Sequence, residues 1–156
     1  MPLKIHYIVT EEITEDLLGS MQKAHEQIFD PAYSLNKIKS RLADKGQGIL
    51  SMALDDDQNC LGFKLGYRWD DDSFYSWVGG VIPEARRQGI AKKLLDDLES
   101  FLKNNTTYKK LRTHSRNQFP EMIYLNLKSG FSITDTIPTD NPLDPKIVFI
   151  KKLMGL

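Results

Sequence analysis

The sequence predicts a fold of the α/β (α+β) class: a mixed, mostly antiparallel central sheet of about seven strands flanked by about four helices. Three observations carry this expectation. The apolar period switches between two and roughly 3.6 residues several times along the chain. The middle of the chain reads as three consecutive strands separated by Asp-rich turns. After them a strand, a short loop holding a glycine and two arginines, and a strongly amphipathic helix follow one another.

Taken in order, Lys4 to Val9 alternates as a half-buried strand, with Ile5, Tyr7 and Val9 on one side. A helix opens near Thr14 with Leu17, Leu18, Met21, Ala24, Ile28 and Phe29 on its apolar side, and Pro31 stops it. Ser34 caps a second helix, with Leu35, Ile38 and Leu42 spaced by three and four, which ends near Gly46. Strands follow at Ile49–Leu54, Cys60–Trp69 and Ser73–Ile82. The Asp triplets between them lack the spaced ligands and glycine of a calcium loop and read as solvated turns. Gly89 to Phe101 is the clearest helix, with Ile90, Leu94, Leu95, Leu98, Phe101 and Leu102 on one stripe. Lys110–Ser115 is a short strand, Pro120–Ser129 a helix with Gly130 at its left-handed end, and Phe131–Ile137 and Lys146–Lys152 close the sheet.

Residues 1–156 are the size of one ordinary domain, and 40% hydrophobic residues exclude a disordered chain. Twenty-one basic residues balance 21 acidic ones, so binding to nucleic acid through general phosphate neutralisation is not expected and any anion site must be local. Cys60, the single cysteine, has no metal-type spacing around it and reads as a small buried residue. Met1 to Tyr7 shows no charged segment followed by an uninterrupted apolar run, and no stretch reaches membrane-spanning length. A cytoplasmic protein without a membrane partner is the expectation.

Chemistry concentrates between Val78 and Leu95. A strand running into a loop and then a helix brings several unpaired backbone N–H groups together at the helix start, a geometry that binds anions. Gly89 lets an anion approach the backbone, Ala91 keeps the first turn small, and Arg86, Arg87 and Lys92 add charge. Neither Gly-x-x-x-x-Gly-Lys-Ser/Thr nor Gly-x-Gly-x-x-Gly is present. From the residues alone, an anion site and a solvated basic loop both remain open.

In Arg86-x-x-Gly89-x-Ala91 the sequence resembles the Gln/Arg-x-x-Gly-x-Gly/Ala signature of the GNAT superfamily of acyl-CoA-dependent acyltransferases. The motif stands after a strand ending Val81-Ile82-Pro83 and before a helix with Leu94 and Leu95, and Ser129-Gly130-Phe131 is similar to the family's later Gly-Phe junction. The resemblance implies an N-acetyltransferase fold across the chain, with acetyl-coenzyme A lying between splayed parallel strands Ser73–Ile82 and Lys110–Ser115. It implies Val81 main chain for the pantetheine arm, Arg86, Arg87, Gln88, Gly89, Ile90, Ala91 and Lys92 for the pyrophosphate, and Asn117 and Lys128 further along. Lys93 adds a fourth basic group to the same helix start.

Paired glycines inside a strand suggest a bulge at Gly79-Gly80, and family analogy gives the freed N–H of Gly80 a use as oxyanion donor; a bend relieving crowding against a helix is the other reading. The family's usual acid, a Tyr, is replaced by Asn126, while Tyr124 should face elsewhere as a packing residue. Strand Ser73–Ile82 carries no carboxylate, leaving His114 as the best candidate base ahead of Glu26 and Tyr75. The variable helix-loop-helix Thr14–Ala43 would wall the acceptor site with His25, Glu26, Phe29 and Tyr33, an acid among aromatics that suits a cationic amine.

The implied activity is acetyl transfer from acetyl-CoA to a primary amine, on a small molecule or a peptide, by direct attack in a ternary complex without a metal. A homodimer is compatible with it. Two other readings stay open: a coenzyme A-binding or sensing module without turnover, and a nucleotide-binding regulatory domain.

Overall fold

A computed structural model describes residues 4–153; Met1 to Leu3 of the N-terminal reading and the last three residues lie outside it. Seven strands form one sheet in the order β1-β2-β3-β4-β5-β7-β6. They are β1 (His6–Thr10), β2 (Ile49–Leu54), β3 (Cys60–Arg68), β4 (Ser73–Val81), β5 (Lys110–Ser115), β6 (Ser132–Ile137) and β7 (Lys146–Lys152). Every neighbouring pair is antiparallel except β4 and β5. The helices are α1 (Glu15–Ile28), α2 (Leu35–Lys45), α3 (Ile90–Asn105) and α4 (Pro120–Lys128). No described helix is long and apolar enough to cross a membrane.

Local chemistry sets these boundaries. The hydroxyl oxygens of Thr14 and Ser34 accept from the Leu17 and Lys37 N–H groups and start α1 and α2, while Gly46 at φ 70° ends α2. Phe29, expected inside the first helix, is its C-cap. α3 runs four residues beyond the expected Phe101, because its backbone bonding continues to the Thr106 N–H on Leu102 O although the apolar stripe has ended. Asp55 accepts from the Asp57 and Asn59 N–H groups and Asp70 from that of Asp72, so both Asp triplets build turns.

The sheet is covered on both faces. α1 and α2 lay Leu18, Met21, Ala24 and Ile38 on Leu50, Met52, Phe63 and Leu65. On the other face α3 places Ile90 and Leu94 on Ala53 and Leu61, and Leu95, Leu98 and Leu102 on Phe74, Leu111 and Phe149. β2 is therefore buried along its whole length.

One irregularity controls the centre. Leu65 pairs with Val78 but Gly66 pairs with Ser76, so Trp77 is an extra residue in β4. Gly66 faces this bulge at a distance that excludes a side chain: a Cβ there would lie 2.2 Å from Tyr75 O and 2.6 Å from Phe74 Cε1. Gly66→Ala should lower the free energy of unfolding by about 1–3 kcal/mol, seen as a lower denaturant midpoint. Gly19→Ala, in α1 with nothing within 4 Å of the added carbon, should raise it by about 0.5–1 kcal/mol in the same measurement.

Candidate functional site

The parallel ladder between β4 and β5 lasts four pairs, from Ser73 with Lys110 to Ser76 with Thr113, where the Thr113 hydroxyl donates to Ser76 O at 3.2 Å. Past the bulge at Trp77 the strands part, and β4 changes from buried residues to partly exposed ones. The expected bulge at Gly79-Gly80 is thus corrected: it lies at Trp77, and the two glycines sit in register opposite Lys64 and Phe63. What they relieve is crowding. A Cβ on Gly80 would lie 3.0 Å from Ile28 Cδ1 of α1, and one on Gly79 would lie 2.8 Å from Phe63 O.

The Ile82 N–H donates to Leu61 O at 2.9 Å, which fixes the alternation of the strand. Ile82 and Gly80 turn their backbone groups to β3; Gly79 and Val81 turn theirs to the side that β5 has left. Gly80 therefore spends its N–H on the ladder, against the expectation of a freed donor there. The cleft-facing backbone belongs to Gly79 and Val81.

A short 3₁₀ turn, Pro83–Ala85, carries the chain from β4 into the loop before α3. Arg87 (φ 67°) and Gly89 (φ 76°) both adopt left-handed backbone, and Gly89 caps α3 without a side-chain bond. The first helical bond runs from the Lys93 N–H to Gly89 O, so the N–H groups of Ile90, Ala91 and Lys92 have no intrahelical partner. Around Gly89 there is open space. Arg86 Nε donates to Val81 O at 3.1 Å and Gln88 Nε2 to Ala85 O at 3.2 Å, which hold the loop against the end of β4.

The basic cluster expected here is smaller than the sequence suggests. Lys92 pairs with Asp96 at 2.5 Å and Lys93 with Asp97 at 2.8 Å along α3, leaving Arg86 and Arg87 as its unmatched charges among the described residues. Asn117 is occupied elsewhere: its N–H donates to Asp144 Oδ1 and its side-chain amide to Leu143 O, tying the loop after β5 to the β6–β7 turn. Lys128 lies exposed at the end of α4 beside Tyr124, and Tyr124, 65% exposed, faces solvent without packing into the core. Asn126 is buried.

His114 does not offer a base. Arg112 Nε donates to its Nε2 at 2.9 Å, so the proton sits on Nδ1 next to the Tyr75 hydroxyl at 3.1 Å, and both nitrogens are engaged. Burial, then the charges of Arg112 and Lys146, press its pKa down to about 4. Burial also raises the pKa of Tyr75. Cys60 is buried, its thiol pushed up to about 12 by desolvation.

Of the acceptor-wall residues, His25 is buried and accepts the Tyr33 N–H on Nε2 at 3.0 Å, which positions the α1–α2 loop, and burial lowers its pKa. Phe29 is half-buried and meets Phe119 edge to face across the mouth of the cleft, at 6.5 Å between centroids. Glu26 is exposed and accepts from Gln22 Nε2 at 3.2 Å.

Two groups at the site have no counterpart among the sequence expectations. Lys64, in register with Gly79, passes within 3.1 Å of where that glycine's Cβ would be and is buried on the α3 face. Desolvation lowers its pKa to about 8 against the charge of Glu99, which is itself bonded to Lys151 Nζ at 2.9 Å. A lysine between Phe63 and Leu65 in an apolar strand is the signal that could have found it. The second group is an aromatic wall in which Tyr75, considered above only as a base, joins Tyr67, Trp69 and Trp77, legible as paired i, i+2 aromatics on either side of Asp70–Asp72.

The Acetyltransferase (GNAT) family pattern matches residues 10–130. No curated protein gives a significant sequence match. Among solved structures, ribosomal-protein-S18-alanine N-acetyltransferase from Escherichia coli is similar with a TM-score of 0.78 at 15% identity, over 97% of this chain and 96% of that one. NAA60 of Arabidopsis thaliana, in complex with acetyl-CoA, gives 0.77 at 17% identity, over 97% and 100%. A GNAT family acetyltransferase from Elizabethkingia anophelis with acetyl-CoA bound gives 0.70 at 22% identity, over 95% and 97%. The matched stretch runs from the end of β1 past α4 and takes in every element that opens the cleft and builds its loop, so the chain belongs to the GNAT acetyltransferase family.

Proposed function

We propose that this protein, as one domain, transfers an acetyl group from acetyl-CoA to a primary amine by direct attack within a ternary complex. The observation that carries the reading is the parting of β4 from β5 directly above an uncapped helix start: one groove that can hold an extended chain, ending in a place for its phosphates. In support, two of the similar solved structures hold acetyl-CoA.

The residues fit that molecule. The N–H groups of Ile90, Ala91 and Lys92, with the guanidinium groups of Arg86 and Arg87, would take the pyrophosphate; Gly89 leaves room for it. Val81 would offer its N–H to the pantetheine arm, since its carbonyl is held by Arg86. Gly79 takes over the cleft-facing donor role expected of Gly80. Lys128 remains for an outer phosphate, and Asn117 drops out.

In the reaction the amine nitrogen forms a bond to the acetyl carbon, the carbon–sulfur bond breaks, and coenzyme A leaves as a thiolate. Cys60 is too deeply buried and too weakly acidic to form an acyl-enzyme, which favours direct attack. With His114 engaged on both nitrogens, the acceptor ammonium loses one proton to solvent at the open mouth before attack, and a second proton passes from the nitrogen to solvent after attack, as the thiolate departs.

Acetyl-CoA should raise the melting temperature of the protein, and free thiol should appear when an amine panel is added. Stabilisation without thiol release from any amine would instead make it a coenzyme A-binding module. Gly89→Val should weaken coenzyme A binding by at least tenfold by calorimetry, and, because Val is strained at φ 76°, it should lower the stability of the free protein by about 1–3 kcal/mol without unfolding it; unchanged affinity would remove the pyrophosphate placement.

The neutral histidines set a pH window. His25 and His114 have pKa values below the unfolded value of about 6.5, so between that value and about 4 the unfolded chain binds more protons than the folded one. Stability should be level between pH ~6.5 and about 8, where Lys64 begins to titrate, and fall as the pH drops toward ~4, read from denaturant midpoints at a series of pH values.

A further inference from the structure

Three cations lie over the rings of the aromatic wall at the mouth of the cleft. Trp77, the bulged residue, stacks on Tyr33 at 5.4 Å and 22° and meets Tyr67 at 5.8 Å, and Tyr67 in turn meets Tyr75 at 5.5 Å. The guanidinium carbon of Arg41, from α2, lies 4.7 Å from the Trp77 ring centre, and its Nη1 donates to the Tyr67 hydroxyl at 3.0 Å. Lys37 sits 4.3 Å over Tyr33, and Arg112 lies 4.2 Å over Trp69.

None of these three cations has a carboxylate within ion-pair distance among the described residues. Some basic side chains elsewhere are matched, Lys39 by Glu15, Arg68 by Asp71, Arg116 by Asp144 and Lys151 by Glu99, while Arg86 and Arg87 at the loop before α3 are not; what sets these three apart from that pair is that each lies over an aromatic ring. Glu26, the acid expected to attract a cationic acceptor, is exposed and bonded to Gln22, whose Nε2 also donates to Tyr33 O at 2.8 Å, so one carboxylate stands near the Tyr33 end of the wall. In a chain of zero net charge, one aromatic face at the proposed site of transfer is locally basic.

We infer that the acceptor is a small amine that also carries a carboxylate and an apolar or aromatic side chain, an amino acid in chemical class, with its carboxylate on Arg41 and its side chain against Trp77 and Tyr33. The inference rests on the acetyltransferase reading and deepens it. Arg41 keeps most of its N–H donors after bonding Tyr67, and a guanidinium held flat on an indole is already oriented for a two-pronged bond to a carboxylate. A ring or branched chain would extend the stack that Trp77 and Tyr33 begin. The amine would then lie at the bulge, where β4 leaves β5. Polyamines and aminoglycosides, cationic throughout, meet three like charges here.

The test uses three matched amines: phenylalanine, phenylalaninamide and phenethylamine. Thiol release from acetyl-CoA should show kcat/KM for phenylalanine at least tenfold above the other two. Arg41→Gln should lower that value about tenfold or more through KM, lower the values for the other two amines far less, and leave the KM for acetyl-CoA unchanged; Arg41→Lys should restore part of the loss. Equal or better turnover of phenylalaninamide, phenethylamine or spermidine, or an equal loss on all amines in Arg41→Gln, would overturn the inference.

Binding separates this from the reaction itself. Phenylalanine added to the protein saturated with coenzyme A should change tryptophan fluorescence in the wild type and not in Arg41→Gln. If that change occurs without any thiol release, acetyl transfer fails and the carboxylate site stands. If thiol is released from other amines and phenylalanine neither binds nor reacts, the carboxylate site fails alone.

Discussion

The organisation of this protein depends on a failure of pairing. β4 and β5 share four residue pairs and then separate, so the sheet is two halves joined at one short parallel ladder. Such a seam exposes backbone that a continuous sheet would satisfy internally, and it persists only because something else holds the halves together. That element is α3, whose Leu95, Leu98 and Leu102 rest at once on Phe74 of β4, Leu111 of β5 and Phe149 of β7. The helix that begins at the Arg86–Gly89 loop is thus also the brace of the cleft.

The bulge at Trp77 supplies the divergence, and its cost falls on Gly66 across the ladder. Gly79 and Gly80, more conspicuous in the sequence, do something plainer and let α1 and the neighbouring strand come close to β4. Here the sequence misleads. Glycine in a strand signals close approach or irregular backbone alike, and only the cross-strand partner tells which.

Most of the architecture is readable from the chain alone, because local rules and long-range packing agree. β5 and β7 begin and end where the alternation places them, and Thr14, Ser34 and Gly46 cap as their side chains or backbone dictate. The loop at Arg86–Gly89 is readable for the same reason: a helix start is a local object. The chemistry around it is less so. Lys92 and Lys93 count as free charges until Asp96 and Asp97 are seen one turn on, and His114 passes for a base until Arg112 and Tyr75 occupy its nitrogens. The wall of rings and cations needs α2, β3, β4 and β5 brought together, which no window of sequence contains.

Lys64, Glu99 and Lys151 gather charges of β3, α3 and β7 on the covered face of the open seam, with the Ser129 carbonyl as a fourth partner through Lys151. Mobile ions screen exposed charge over about 8–10 Å of water at ordinary ionic strength but hardly reach a buried cluster. Arg86 and Arg87, by contrast, stand in solvent. Under the proposed function, salt would therefore act on the two halves of the site differently: it would loosen the hold on an anionic tail while the shape of the groove that receives it stays fixed.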